Sequence, residues 1–332
     1  MTETSAIALD AAVVASAERA LDEIRRARAA VAGVIFGQEE VVEQALVTLL
    51  AGGHGLLIGV PGLAKTKLVE TLGKVLGLDV KRVQFTPDLL PADILGSEVL
   101  EEAADKTRAF RFLKGPVFAQ LLMADEINRA SPRTQSALLQ AMQEYHVSIA
   151  GKAHDLPSPF HVLATQNPLE QEGAYPLPEA QLDRFLLQID VSYPDRTSER
   201  RMLLETTGDT QARPSQALGA DELLAVQRLV RRLPVGAKIL DAILDLVRAA
   251  RPEGGDPEIA PLVSWGPGPR AAQALMLATR ARALVNGRLS PSLDDVAALA
   301  GPALRHRMAL NFAARRETSI EAVIKKLIER LG

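Results

Sequence analysis

An apolar strand pattern, a glycine-containing loop and a helical pattern follow one another near residue 59, and this succession restricts the possible folds most. Leu56-Leu57-Ile58 precedes the run Gly59-Val-Pro-Gly-Leu-Ala-Lys65-Thr66. The N–H groups of such a loop and the N-terminus of the next helix favour a bound phosphate. Lys65 could reach the outer phosphates, and the Thr66 hydroxyl could coordinate Mg²⁺. Ala64 stands where G-x-x-x-x-G-K-[ST] has its second glycine, so the loop alone leaves a nucleotide site and an ordinary turn equally open.

Two acids end a second apolar run further along the chain, in Leu121-Leu-Met-Ala-Asp125-Glu126. At the carboxyl end of a strand beside the phosphate loop, Asp125 would hold Mg²⁺ or its water. Glu126 would polarise a water molecule for attack on the γ-phosphate. An isolated run of this kind would indicate only a strand that ends in solvated acids. Because it follows a phosphate-type loop, the pair favours a nucleotide-hydrolysing site.

Two further polar side chains follow predicted strands or helices in the same part of the chain. Asn167 ends the apolar run 160–166 and precedes Pro168, so it could orient the attacking water or form an Asx turn. Arg184 closes a short helix in Gln181-Leu-Asp-Arg-Phe185. It is a candidate arginine finger, and the alternative is a surface cation near a helix C-terminus.

Strands and helices alternate between about residue 33 and residue 194, which predicts a parallel sheet with helices on both faces. The predicted strands cover residues 55–58, 81–85, 121–125, 161–165 and 185–191. Residues 101–112 and 145–154 interrupt the alternation and read as two hairpins, with plain surface hairpins as the alternative to a functional role. The alternation predicts a ligand at the carboxyl ends of the strands.

Helical patterns flank this region on both sides. Residues up to about 10 look irregular, and apolar residues then recur at three or four positions through residue 32, as in an amphipathic helix. From residue 195 the predicted helices cover 221–233, 238–250 and 270–285, and helix starts are predicted at Ser292 and Thr318. We therefore expect an N-terminal segment (1–32), an α/β domain (33–194) and a small all-helical lid domain (195–332).

These motifs together resemble the AAA+ ATPases, and specifically the MoxR family. The resemblance runs in order from about residue 34 to residue 307. It is carried by Val34-Ile-Phe-Gly-Gln38, Gly59-Val-Pro-Gly-Leu-Ala-Lys-Thr66, Gln84-Phe-Thr-Pro-Asp-Leu-Leu-Pro-Ala-Asp93, Ala124-Asp-Glu-Ile-Asn-Arg129, Ala164-Thr-Gln-Asn-Pro168, Gln181-Leu-Asp-Arg-Phe185 and Leu304-Arg-His-Arg307. The alanine variant of the phosphate loop is itself similar to what this family shows.

The resemblance implies a set of site residues that bind ATP and Mg²⁺. Gly37 and Gln38 would lie against the adenine. Arg270 would be the sensor-2 arginine and contact the phosphates of its own subunit, although Pro267 and Gly268 replace the usual small polar residue before it. The implied nucleotide-binding residues are Gly37, Gln38, Gly59, Pro61, Gly62, Leu63, Ala64, Lys65, Thr66 and Arg270; the metal-binding ones are Thr66 and Asp125; the catalytic ones are Glu126, Asn167 and Arg184.

The resemblance also implies an assembly and a partner. Relatives form rings, so we expect a ring-shaped homo-oligomer, a hexamer, in which Arg184 projects into the neighbour's site and the two hairpins face the central pore. MoxR relatives act as chaperones in maturing proteins that contain a von Willebrand factor A domain. We therefore expect an ATPase that remodels such a partner.

The composition of the chain argues against several kinds of binding site and against insertion in a membrane. The chain has 332 residues, 47% apolar and 24% charged, with a net charge of −3 and a pI near 6.0, so it lacks a general basic surface for nucleic acid. It contains no cysteine, which excludes disulfides and thiolate metal sites, and its five histidines show no paired ligand spacing. Without a signal-like N-terminus or a membrane-length apolar run, we expect a cytoplasmic protein with no membrane insertion.

Three other functions share parts of this pattern. A nucleic-acid motor of the helicase type carries similar hairpins, but the acidic pI argues against it. The motor subunit of a metal chelatase has a similar ring and partner domain and stays open. A non-catalytic nucleotide-binding scaffold would not need Lys65, Asp125, Glu126 and Asn167 together.

Overall fold

The computed structural model describes residues 11–102, 108–169, 173–208 and 214–331. The helices are α1 (Ala11–Ala32), α2 (Glu39–Leu50), α3 (Lys65–Val75), α4 (Pro91–Leu95), α5 (Pro132–Glu144), α6 (Glu179–Leu182), α7 (Arg196–Thr206), α8 (Ala220–Arg232), α9 (Ala237–Ala249), α10 (Pro269–Val285), α11 (Leu293–Leu304) and α12 (Ile320–Ile328). The strands are β1 (Gly55–Ile58), β2 (Val80–Gln84), β3 (Gly96–Glu102), β4 (Arg108–Lys114), β5 (Leu121–Asp125), β6 (His146–Ile149), β7 (Lys152–Asp155), β8 (His161–Gln166), β9 (Leu187–Asp190), β10 (Val263–Trp265) and β11 (Ala309–Leu310).

Five strands form one parallel sheet in the order β2-β5-β8-β1-β9. These are the five predicted strands, and their bounds differ from the predicted ones by at most two residues at either end. Because all five run in the same direction, the loops that follow them meet at one edge of the sheet. The phosphate-type loop after β1, the acids at the end of β5 and the asparagine after β8 therefore lie along the same edge.

The sheet is covered by helices on both faces, which explains why its strands are continuous apolar runs. Successive residues of one strand belong to different parts of the core. Leu57 and Met123 face α1, α2, α3 and the C-terminal helices, whereas Leu56 and Leu122 face α4 and α5. With so few aromatic residues, this core is built mainly from leucine, valine, isoleucine and alanine.

Both predicted hairpins are present. In the first hairpin, β3 pairs antiparallel with β4, and in the second, β6 pairs antiparallel with β7. The turn of the first hairpin, residues 103–107, lies outside the described residues. Each hairpin projects from the α/β region rather than extending the central sheet.

The C-terminal region is helical, as predicted, and α10 packs against α1, α2, α8, α9 and α11. A buried ion-pair cluster fixes this packing. Asp295 of α11 is fully buried and accepts hydrogen bonds from Arg282 of α10 at 2.7 Å and from Arg288 at 2.6 Å. Arg282 also pairs with Glu43 of α2 at 2.6 Å. The lid therefore packs against the face of the α/β region that carries α2.

Three details differ from the sequence expectation. The residue that caps α12 is Ser319, whose hydroxyl accepts from the Ala322 N–H, and not Thr318, because the helix begins one residue later than the Thr-x-x-Glu pattern indicates. The lid also contains a small antiparallel ladder between β10 and β11. Helix α7, which no pattern predicted, starts at an Asp195 cap.

The N-terminal irregular segment, residues 1–10, lies outside the described residues. The predicted domain boundaries stay predictions, although α1 ends at Ala32 and the Asp195 cap begins the helices of the C-terminal region. Within the described part of the chain, no helix combines the length and apolar character needed to cross a bilayer.

Two buried histidines join the start of β1 to its surroundings. The ring of His54 contacts the Met142 carbonyl and accepts from the Val162 N–H, and the ring of His161 contacts the Gly53 carbonyl. Burial lowers the pKa of His54 to about 3 and that of His161 to about 4, from a usual value of 6.5. The folded protein therefore keeps both rings neutral where the unfolded chain would protonate them.

We predict that the free energy of unfolding falls as the pH is lowered from about 6.5 towards 4. The unfolded state binds more protons in this window, so the stability present above pH 6.5 is progressively lost, by up to about 3 kcal/mol for His161 alone. Denaturant unfolding between pH 7.5 and 4.5 measures this slope. His161→Gln should reduce the slope, whereas His146→Gln, on the β6–β7 hairpin, should keep it; equal slopes in all three proteins would contradict the assignment.

Candidate active site

The loop between β1 and α3 has the backbone conformation that a phosphate-binding loop needs. Gly62 has φ +87°, and Ala64, the N-cap of α3, has φ +56°. The left-handed region costs a non-glycine residue roughly 1–2 kcal/mol. Ala64 therefore adopts the conformation that the missing glycine would have adopted, and the loop shape is retained in spite of the substitution. The N–H groups at the start of α3 lie at the mouth of a cleft lined by the loop.

Lys65 folds back over this loop. Its Nζ donates to the carbonyl oxygens of Gly59 at 2.6 Å and Val60 at 2.8 Å. Partial burial lowers the pKa of the Lys65 amine, and the nearby Asp125 and Glu126 carboxylates act in the opposite direction. The ammonium group is thus held close to both acids and to the loop N–H groups.

Asp125 is almost fully buried at the end of β5. Its Oδ1 accepts from the Thr165 hydroxyl at 2.5 Å, and its Oδ2 accepts from Arg82 Nη2 at 2.6 Å and Nε at 3.1 Å. The neighbouring strands β8 and β2 therefore hold the carboxylate from both sides. This fixes its orientation towards the cleft.

Glu126 has an unusual backbone and an anchored side chain. Its φ is +57°, and its N–H donates to the Thr165 hydroxyl at 2.9 Å. Its Oε2 accepts from Gln84 at 2.8 Å and from Arg129 at 3.1 Å. The αL turn aims the side chain into the cleft, because a strand continuing past Asp125 would have placed it on the other face.

Asn167 follows β8 and is 6% exposed. Its Oδ1 accepts from the Leu169 N–H at 3.1 Å, which is the Asx turn that the sequence left open. Asn167 nevertheless lines the same cleft as Lys65 and Glu126, so the turn and a position at the cleft occur together.

The cleft at this edge of the sheet, which we call the phosphate cleft, has a volume of about 450 Å³. Its lining brings together nearly all of the predicted phosphate and metal residues: Pro61, Gly62, Leu63, Ala64, Lys65, Thr66, Asp125, Glu126 and Asn167. Gly59 lies at the base of the loop. Thr66 and Asp125 fit Mg²⁺, which takes few protein oxygen ligands and completes its shell with phosphates and water. Among the described residues, no cluster of three histidine, aspartate or glutamate side chains offers another metal site.

The expected adenine residues lie beside this loop. Gln38 donates to the Leu63 carbonyl at 3.2 Å, which ties it to the phosphate loop. Gly37 has φ +67° and packs so closely on α7 that an added Cβ would lie 2.3 Å from Ser198 Cβ. A second, more apolar pocket adjoins Ala64 and contains Phe36 and residues of α7. Its position and character suit a nucleobase.

Arg184 and Arg270 lie elsewhere. Both line a cleft of about 260 Å³ that also contains Gly53 and His54, at the amino end of β1. Arg184 donates to the Leu139 carbonyl at 2.5 Å, and Arg270 pairs with Asp183 at 3.5 Å. We call this second site the arginine cleft.

The arginine cleft and the phosphate cleft lie at opposite ends of the strands of the sheet. Strand β1 alone spans roughly 10 Å at about 3.3 Å per residue, and the clefts begin beyond its two ends. The structure therefore places Arg270 away from the phosphate loop of its own subunit, and its contact with the phosphates stays a prediction. The reason is the packing of the lid: α10 is held against α1 and α2 behind the sheet, so its first turn lies away from the phosphate loop.

Arg82, Gln84 and Thr165 were not assigned a role from the sequence. Arg82 and Gln84 point to the same side of the exposed edge strand β2 and reach Asp125 and Glu126 respectively. Their i, i+2 spacing at the carboxyl end of a strand was a usable signal. Its meaning depends on β2 pairing with β5, which the sequence did not specify.

Comparison with known proteins identifies the family. Residues 54–187 match the ATPase family associated with various cellular activities (AAA), and residues 258–327 match the AAA lid domain. The Chaperone MoxR1 of Mycobacterium tuberculosis is 44% identical over 325 residues, covering 97% of this chain and 83% of that protein. The chain belongs to the MoxR family of AAA+ ATPases. Protein MoxR of Paracoccus denitrificans is 32% identical and covers 90% of this chain and 93% of its own length.

The fold of this MoxR-family protein also matches a solved structure. A crystal structure from Cytophaga hutchinsonii, described as a candidate ATPase, superposes with a TM-score of 0.88 at 35% identity, covering 97% of this chain and 98% of the other. The predicted fold, an α/β nucleotide-binding region followed by a helical lid, is confirmed. The MoxR-family protein is thus an ATP-hydrolysing enzyme.

For this ATPase we predict different effects from two substitutions in the phosphate cleft. Lys65→Ala should weaken ATP binding strongly, because it removes the cation that faces the phosphates. Glu126→Gln should keep ATP affinity and reduce turnover by at least about 10²-fold, because the amide cannot accept a proton from water. Nucleotide titration and steady-state hydrolysis measure the two effects separately. Wild-type turnover in Glu126→Gln would exclude Glu126 as the base.

Proposed function

We propose that this protein forms a hexameric ring and hydrolyses ATP at the interfaces between its subunits. The position of Arg184 carries this proposal. A finger arginine must approach the γ-phosphate, yet Arg184 lies at the opposite edge of the sheet from the phosphate cleft of its own chain. A neighbour that places its arginine cleft against this phosphate cleft would bring the arginine into position.

Arg270 joins Arg184 in this arrangement. Both guanidinium groups line the arginine cleft, and two cations at one site suit the concentrated negative charge of a triphosphate. A head-to-tail contact that joins two different surfaces generates a closed ring when its rotation closes. The phosphate cleft would therefore supply Lys65, Asp125 and Glu126 from one subunit, and the next subunit would supply both arginines.

We propose further that the ring works as a chaperone on partner proteins. One of its relatives is named a chaperone, and the resemblance to the MoxR family adds a partner with a von Willebrand factor A domain. Movement of the hairpins during the ATP cycle would act on this partner. The motor subunit of a metal chelatase remains the alternative with the most similar expected assembly.

The surface of the first hairpin supports a protein partner rather than nucleic acid. Its arginines are paired across the two strands: Arg108 with Glu102 at 3.0 Å and Arg111 with Glu101 at 2.8 Å. Phosphate backbones are bound by cations that are free to face them. On the face that carries Arg108 and Glu102, Leu100 and Phe110 lie opposite each other in the ladder and are 54% and 70% exposed. Exposed apolar side chains of this kind suit protein contacts.

We predict that two inactive variants restore activity when mixed. Arg184→Ala should bind ATP and hydrolyse it at least about 10³-fold more slowly, in line with the usual effect of an arginine finger. Mixed with Glu126→Gln, it should form interfaces that join its intact Glu126 to the intact Arg184 of the other variant. Random assembly at equal ratio gives up to about a quarter of such interfaces, so turnover should rise well above that of either variant.

The same mixing experiment tests Arg270. Arg270→Ala should be rescued by Glu126→Gln and not by Arg184→Ala, because both arginines belong to the same donated surface. Co-assembly is checked by purifying the mixed rings through a tag on one variant. Rings that contain both variants and show no recovery, together with full activity in monomeric wild-type protein, would exclude the shared site.

We predict that Phe110→Ala uncouples the partner from the ATPase. The side chain is exposed and does not line the phosphate cleft, so basal hydrolysis should stay within about twofold of wild type. Stimulation of hydrolysis by an A-domain protein from the same genome should be lost. Phe312→Ala is the matched control, because Phe312 is 82% exposed in the lid. Equal loss in both variants would show that the hairpin has no special role.

A further inference from the structure

Arg307 is a buried arginine that uses all of its donors. It is 1% exposed, and its guanidinium makes five hydrogen bonds. The acceptors are Asp183 Oδ1 at 2.7 Å, the Asp183 carbonyl at 3.2 Å, the Phe185 carbonyl at 2.6 Å, the Leu186 carbonyl at 3.2 Å and the Ala303 carbonyl at 2.5 Å. Four of these five bonds end on one short segment, residues 183–186, which we call the finger segment because it includes Arg184.

The residues next to Arg307 reach the same part of the chain. His306 Nε2 lies 3.1 Å from the Phe185 carbonyl, and Arg305 pairs with Asp190 at the end of β9. Burial lowers the pKa of His306 well below its usual value, with Arg307 acting in the same direction, so the ring is neutral and its N–H can donate. Residues 305–307, directly after α11, therefore contact the chain both before and after the point where it enters β9.

The finger segment is also held by its own backbone: the N–H groups of residues 183–185 donate to carbonyl oxygens of α6. Phe185 is buried in the core, and the Leu186 N–H donates to the His54 carbonyl at 2.7 Å. The Arg184 side chain itself has one hydrogen bond, to the Leu139 carbonyl. Asp183 is shared, since it pairs with Arg307 at 2.7 Å and with Arg270 at 3.5 Å. Arg307 thus supplies four hydrogen bonds to acceptors of this segment, whereas His306 and Arg270 supply one each.

We propose that Arg307 is a positioning residue that fixes the finger segment, and with it the Arg184 guanidinium, to the end of lid helix α11. This inference rests on the proposed function, in which Arg184 acts on the neighbour's ATP. Arg307 borders the arginine cleft, but all five of its N–H donors are used within its own subunit, so it acts through the segment that it holds. The bond from Arg307 to Ala303, in the last turn of α11, makes α11 and the finger segment one body. A shift of α11 then moves Arg184.

The effect of losing this anchor follows from the geometry of transfer reactions. A displacement of about 1 Å in a positioned group can cost 10²-fold in rate. Arg307→Lys keeps the positive charge beside Asp183 but has three donors on one atom instead of five in a planar fork. It should therefore release the carbonyls of the finger segment while leaving Asp183 paired. We expect kcat to fall by about 10²-fold and ATP affinity to stay close to wild type, because Lys65 and its loop are untouched.

Arg282→Lys is the matched control. Arg282 is a largely buried arginine of the lid with two short ion pairs, to Glu43 and Asp295, and it makes no contact with the finger segment. Its replacement should lower the melting temperature by a similar amount and keep kcat within about threefold of wild type. If Arg282→Lys loses turnover to the same extent as Arg307→Lys, the loss reflects general damage to the lid and the proposal is wrong.

Mixed rings separate a misplaced finger from a damaged phosphate cleft. Arg307→Lys should recover activity with Glu126→Gln, because its own phosphate cleft is intact. It should recover nothing with Arg184→Ala, because both variants lack a working finger. Recovery with Arg184→Ala, or wild-type turnover of Arg307→Lys alone, would overturn the proposal. No recovery with Glu126→Gln would also overturn it, provided that Arg184→Ala does recover with Glu126→Gln.

A second measurement tests the role of Arg307 even if the shared-site proposal is wrong. When Arg184→Ala and Glu126→Gln co-assemble without recovery, the ring mechanism is excluded, and hydrogen exchange then decides the anchoring. Amide exchange in residues 183–186 should rise by at least about tenfold in Arg307→Lys and stay unchanged in Arg282→Lys. Unchanged exchange in the finger segment of Arg307→Lys would show that Arg307 does not hold it.

Discussion

The length and direction of strand β1 determine how the functional residues of this protein can be used. The phosphate loop follows its carboxyl end, and the arginine cleft surrounds its amino end. The two ends of β1 cannot reach the same ligand. Because β8 and β9 run parallel to β1, the loops that follow these three strands all lie on the side of the phosphate loop. The residues that we expect to bind and activate ATP are therefore separated by the sheet from the two arginines that would stabilise its transition state. In the shared site that we propose, a single chain contains both halves but cannot bring them together.

The phosphate half could be predicted from the sequence because each of its members ends a buried strand. Asp125, Glu126 and Asn167 are polar residues directly after apolar runs, and a parallel sheet gathers such positions at one edge. The resemblance to the MoxR family also accounted for Ala64, the irregular position of the loop. Ala64 tolerates the positive φ that the turn imposes, so the missing glycine changed the strain and not the path of the backbone.

The other half depended on contacts that no local pattern contains. Arg270 was expected at the phosphates of its own subunit, but α10 is held against α2 by the ion pair of Arg282 with Glu43, which is far away in the sequence. Arg82 and Gln84 act in the cleft only because β2 is the neighbour of β5. Positions set by strand order or by helix packing require the whole fold, whereas positions at strand ends require only the strand.

The charged groups of the phosphate cleft are already paired with one another, and this sets how nucleotide binding must proceed. Lys65 donates to its own loop, Asp125 is held by Arg82, and the Glu126 carboxylate is held by Gln84 and Arg129. When a triphosphate and its metal bind, several of these hydrogen bonds are broken and new ones form. The net binding free energy is therefore the difference between the bonds that form and the bonds that are lost. The segments that carry these partners, β2 and the turn after β5, must then adjust when nucleotide binds. Because β2 runs on through α4 to the first hairpin, an adjustment at Gln84 has a direct covalent route to the surface that we propose for the partner.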